Sequence, residues 1–190
     1  MSFINSGVPM AQIFYGYLLL VGCCLFYLLW WGIAFKPHTH APLKVTAPLI
    51  VIAGLLGIGG VVLTCYGMNQ LSFSAVIIPG PYLWAGGIVV YIILLASTYL
   101  ISHRQVTTEL LLIVGWCALE ISTINVFYGL SVLSYTMNIL MMIGLVMISI
   151  INMIAYMRYY DLDEEMGYKD GMIPLILCGL TMIMFLVIMH

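Results

Sequence analysis

Six long apolar runs separated by short polar gaps organise the chain: Gln12 to Ile33, Val45 to Tyr66, Tyr82 to Ser102, Thr107 to Tyr128, Ser134 to Met157 and Met172 to Met189. Each is close to the roughly 20 apolar residues an α-helix needs to cross the hydrocarbon layer of a bilayer. A segment in lipid must satisfy its own backbone hydrogen bonds, and a helix does so. The pattern predicts an all-α chain: a six-helix transmembrane bundle forming a single integral membrane domain over residues 1–190. The first run lacks a positively charged leader and is longer than a signal peptide's apolar stretch, so it reads as a retained span.

Charge then orients the spans. The five Lys or Arg residues lie in alternate gaps: Lys36 and Lys44 between spans one and two, Arg104 between three and four, Arg158 and Lys169 between five and six. By the positive-inside bias those gaps are cytoplasmic, and both termini are expected outside. Trp30 and Trp31 fall near the cytoplasmic end of the first run, while Tyr66, Tyr82, Tyr128 and Tyr135 fall at outer ends, as aromatic side chains at headgroup depth do. With 64 % hydrophobic and 6 % charged residues and a mean hydropathy of +1.17, a soluble globular domain is excluded. No basic patch exists to neutralise nucleic-acid phosphates, so no nucleic-acid partner is expected.

The runs also repeat. Residues 66–74 read YGMNQLSFS and residues 128–136 read YGLSVLSYT, 62 positions apart; upstream, VTAPLIVIAG at 45–54 matches VTTELLLIVG at 106–115, 61 positions apart. A parallel internal repeat of helical hairpins follows, with copy one over about 45–102 (spans two and three) and copy two over about 106–157 (spans four and five). Gly67 and Gly129 are expected to close their helices in the left-handed conformation that glycine favours. Copy one has the longer outer turn, with Pro79, Gly80 and Pro81. The Tyr-Gly pairs, the PGPY turn at 79–82 and the PHTHAPLK loop at 37–44 resemble an uncharacterised family of prokaryotic, largely archaeal, polytopic membrane proteins. That resemblance implies a prokaryotic plasma or inner membrane and no known activity.

Small residues, Ala53, Gly57 and Gly60 in the second run and Gly86 and Gly87 in the third, predict close packing of spans two and three, because small side chains let helix backbones approach in lipid. The many methionines read as adaptable core filler. Four of the five cysteines lie inside spans and the fifth, Cys65, near an outer end, so no disulfide framework is expected.

Glu120 stands out. It lies near the middle of the fourth run, where a charged side chain costs about 2.5–3.5 kcal/mol on insertion scales. It must face protein or water, as the neutral acid or with hydrogen-bonding partners. Glu109 is eleven residues earlier, nearly the same helix face, and Thr123 is one turn on, so the three suggest a polar stripe. Straight helices would put Tyr91 and Thr181 at a similar depth.

Three histidines, His38, His40 and His103, share the basic side with Asp161, Asp163, Glu164 and Glu165, a donor set suited to a metal such as iron, zinc or manganese. The competing expectation is a solvated loop over residues 158–171. No histidine inside a run is available to a haem, and no lysine to a retinal Schiff base. No cofactor is expected; bound lipid is. The sequence thus favours an accessory or structural multipass subunit of a larger membrane complex, respiratory or oxidative in kind, without catalytic activity of its own. Its partners would be the lipid bilayer and other membrane subunits or a second copy. The alternatives are a small proton- or cation-linked transporter or channel component using Glu120, and a membrane metalloenzyme with a cytoplasmic histidine and carboxylate site.

Overall fold

A computed structural model describes residues 7–38, 41–71, 76–102, 108–159 and 164–190. The described residues form helices and connectors without strands: α1 (Val8–Ala34), α2 (Leu43–Asn69), α3 (Gly80–Ser102), α4 (Thr108–Gly129), α5 (Tyr135–Tyr159), α6 (Glu164–Asp170) and α7 (Met172–Met189). Six helices are long and apolar enough to cross a membrane, the sixth of these segments, Met166–Met189, combining most of α6 with α7. Large apolar side chains that water would drive inward stay exposed, among them Leu55, Val62, Ile88 and Val187. The chain is a multipass membrane protein. The helices gather into two compact units: Met1–Ser72 with Ile154–His190, and Phe73–Met153. The division falls between α2 and α3 and again within α5, so the units are not the two expected repeat copies, and the repeat is not visible in them.

In the first unit α1 packs antiparallel to both α2 and α7. Against α2, Gly16 meets Thr64, Leu20 meets Gly60 and Cys23 meets Gly57, so one number rises as the other falls. A Cβ on Gly60 would lie 2.7 Å from Leu20 Cγ and 2.9 Å from the Gly16 carbonyl oxygen; one on Gly67 would lie 2.7 Å from the Pro9 carbonyl oxygen. These glycines permit backbone contact, which is what holds helices together where lipid removes the hydrophobic drive. Gly57, Gly60 and Gly67 of α2 therefore serve a seam with α1. In the third helix no atom lies within 4 Å of a Cβ at Gly86, and Gly87 meets only Val114 Cγ1 at 3.8 Å. Against α7, Tyr17 meets the Phe185 ring at 5.6 Å, and Gly179 lies under Cys24. Gly67 does not close α2 in a left-handed turn: α2 runs on to Asn69, and the positive-φ glycine among the described residues is Gly7.

The polar stretch expected as a solvated loop contains α6, clasped to the end of α1. The Trp31 indole Nε1–H donates to the Tyr168 carbonyl at 3.1 Å, and the Tyr168 hydroxyl donates to the Gly32 carbonyl at 3.2 Å. Trp31 also stacks on Phe35 at 4.4 Å and occupies the space a Cβ on Gly171 would need. Seven residues cannot sustain a helix alone; these tertiary contacts hold it. Trp31→Phe keeps the ring and deletes the donor, and it is expected to cost about 1 kcal/mol and to speed amide exchange across residues 164–170, read by mass spectrometry in detergent.

In the second unit, Gly87 against Val114 sets the register of α3 on α4. By that register α3 begins near the level of Ile121, leaving the last turns of α4 uncovered. The connector before α3 covers them: Asn125 Oδ1 accepts from the Ile77 and Ile78 amides at 3.1 and 3.2 Å, and its Nδ2 donates to the Ile78 carbonyl at 2.8 Å. The amide side chain thus satisfies backbone groups that would otherwise be stranded in an apolar setting. At the other end of this turn system α4 closes through Ser131, not Gly129. Ser131 has φ 54, its amide donates to Tyr128, and the Val132 amide donates to Phe127, the double bond of a Schellman cap. Ser131→Gly relieves the left-handed strain and is expected to stabilise by about 1 kcal/mol, read as a raised unfolding midpoint. Ser134 then caps α5, accepting from the Met137 amide at 3.3 Å.

Candidate functional site

The site is built on α4. Of its apolar stretch 61 % is buried, against 11 % to 28 % for the other five spans. Glu120 is fully buried, at 0 % exposure, in the middle of this helix. Helical spacing puts Ile113, Trp116, Cys117, Glu120, Ile124 and Phe127 on one broad face. Cys117, one turn before the acid on α4, is close enough to feel the Ser149 side chain of α5 and the Glu120 carboxyl. Ser149 in turn donates to the Leu145 carbonyl at 3.0 Å.

Buried polar and apolar side chains lie on both sides of the acid. Toward the end where α4 begins and α5 finishes, the end carrying Arg158, come Trp116, the Cys117 and Ser149 pair, and fully buried Asn152. The Trp116 indole Nε1 is buried and has no hydrogen-bond partner among the described residues. Toward the opposite end the buried side chains are Ile121, Thr123, Ile124, Asn125, Val126 and Phe127 of α4 and Asn138, Met142 and Leu145 of α5. Thr123 Oγ1 donates to the Leu119 carbonyl at 3.1 Å, and Asn138 Nδ2 donates to the carbonyls of Leu133 and Ser134 while its buried Oδ1 has no hydrogen-bond partner among the described residues.

The residues that the sequence grouped with Glu120 fall in both compact units. Thr123 is one turn away and buried. Tyr91 is not level with the acid: the Gly87 to Val114 register sets it beside Leu110, about ten residues or roughly 15 Å along α4. Thr181 belongs to the first unit and donates to the Cys178 carbonyl at 2.8 Å. The Glu109 side chain lies outside the described residues. So do His40, His103, Asp161 and Asp163 and the side chains of Glu164 and Glu165; His38 is exposed, with φ 59. Among the described residues no three of His, Cys, Asp and Glu gather in a metal-holding group. Sequence reasoning missed Trp116, Asn125, Asn138 and Asn152. The asparagines carried a signal, since an amide inside an apolar run needs a partner in lipid.

Compared with known proteins, the chain matches no protein-family model, no curated protein and no solved structure.

Proposed function

We propose that this membrane protein takes up and releases a proton at Glu120, inside the bilayer, as one component of a larger membrane assembly. The supporting observation is the complete burial of a carboxyl group in the middle of an apolar helix. A leucine would pack there at no desolvation cost, whereas an intramembrane acid is costly and is the usual mark of an ion or proton path. A proton suits the site better than a metal cation, because among the described residues no three of His, Cys, Asp and Glu gather around it. Reconstituted protein carrying Glu120→Gln is expected to lose proton-linked flux while remaining folded. Unchanged flux in the folded variant removes the acid from the mechanism and leaves the reading of an accessory structural subunit.

A further inference from the structure

Three sulfur-bearing side chains come to one level where α1 packs on α7. A contact on either side fixes the register: Tyr17 faces the Phe185 ring at 5.6 Å, and Trp31 covers Gly171 at the N-cap of α7. Cys24 lies seven residues from both Tyr17 and Trp31, and Cys178 lies seven from both Phe185 and Gly171. Seven residues return to nearly the same helix face, so the two cysteines share a level midway between the contacts. Gly179 agrees: a Cβ there would lie 3.7 Å from Cys24 Cβ. Met182 is one turn on from Cys178 along the same side of α7, and its Sδ lies 4.0 Å from Cys24 Sγ.

From this arrangement we infer that α1 and α7 hold one Cu(I) ion between Cys24, Cys178 and Met182. Thiolate and thioether are the soft donors that select Cu(I). A three-coordinate ion with metal–sulfur bonds of about 2.3 Å sets neighbouring sulfurs about 4.0 Å apart. The Cys24 and Met182 sulfurs already stand at that separation. Met182 is buried while both thiols are half-buried, so the thioether forms the back of the site and the thiols its mouth.

Charge decides for a monovalent ion. Cys24 and Cys178 lie inside the spans Val8–Ala34 and Met166–Met189, where an uncompensated charge is costly. As Cu(I) enters, one thiol proton leaves to water, and the thiolate left behind balances the single positive charge. The second thiol and the thioether bind as neutral donors, and the copper keeps its oxidation state, so no oxidant or reductant is consumed. Zinc would need a second negative donor and a fourth ligand. Among the described residues no group of three His, Cys, Asp or Glu side chains supplies such a set.

The experiment uses the full chain, purified in detergent under anaerobic, reducing conditions and titrated with Cu(I) against a chromophoric competitor. One Cu(I) per chain is expected to bind, and X-ray absorption is expected to show sulfur neighbours alone at about 2.3 Å. Cys24→Ser and Cys178→Ser are each expected to weaken binding on the order of a hundredfold or more, and Met182→Leu on the order of tenfold, with helical content unchanged. Cys65→Ser, at an exposed position on α2, is expected to bind as the wild type does. Failure of the wild type to take Cu(I) from the competitor, or nitrogen or oxygen neighbours in the absorption spectrum, overturns the site. Unaltered affinity in folded Cys24→Ser and Cys178→Ser does the same, because the ion would then be held elsewhere. A disulfide between Cys24 and Cys178 in protein extracted with its thiols blocked also overturns it, the pair then being a cross-link and not a ligand set.

Discussion

Gly60→Ile is expected to pry α1 from α2 and to cost about 3 kcal/mol or more. The reason is what the new atoms would meet. A Cβ at position 60 lies 2.9 Å from the carbonyl oxygen of Gly16, and backbone cannot move aside by changing rotamer. The helices must separate, and the contacts of Leu20, Cys23 and Thr64 across the seam go with them. Because dispersion between closely packed surfaces carries helix association in lipid, losing close approach removes most of what joins this pair. Gly54→Ile supplies the control on the same helix: no atom lies within 4 Å of a Cβ there, and the residue is exposed. It is expected to change stability by less than about 0.5 kcal/mol. Denaturant titrations of both variants in detergent, followed by helical signal, check the contrast. Equal stability of the two would mean that the α1 and α2 backbones do not touch.

Glu120→Gln has the largest expected functional effect. The amide matches the acid in shape and still donates and accepts hydrogen bonds, but it cannot give up a proton at any accessible pH. Hydrogen bonds between transmembrane helices average about 0.6 kcal/mol, so the exchange leaves stability within about 1 kcal/mol. A complete loss of proton-linked flux in a folded variant then has no structural explanation. Glu120→Asp keeps the titratable group but withdraws it by one methylene, and partial flux is expected. Glu120→Leu removes the desolvation cost and the chemistry together. It is expected to be inactive, and at least as stable wherever the acid's partners tolerate its loss.

How much of this was legible beforehand differs from residue to residue. The spans were, because run length is set by bilayer thickness, and the expected Thr107 to Tyr128 against α4 at Thr108–Gly129 shows how closely. The helix α6 was not: seven polar-rich residues carry no period long enough to read, and what makes them helical is the Trp31 and Tyr168 exchange of hydrogen bonds with a segment more than a hundred positions away. The glycines announced a close approach without naming the partner, since Gly57, Gly60 and Gly67 would serve any facing helix equally. Gly129 misled for a related reason. A glycine near a helix end invites the left-handed cap, but the cap belongs to whichever residue the turn places there, and that is Ser131. Within the site Glu120 was conspicuous because a charge in lipid is costly. Trp116 and Asn152 were inconspicuous because a tryptophan passes for an apolar residue and one asparagine in a long apolar run barely alters its hydropathy.

The repeat is a matter of sequence pattern, whereas compactness depends on which faces meet. The second expected copy holds Glu120 and Asn152, and the first aligns apolar residues with the acid.

The most direct test of the proton account is proton flux measured side by side for the wild type, Glu120→Gln and Glu120→Asp, reconstituted at equal density and verified as folded. The account predicts flux in the wild type, less in the aspartate variant and none above the empty-liposome leak in the glutamine variant. Flux in the glutamine variant equal to that of the wild type would contradict it.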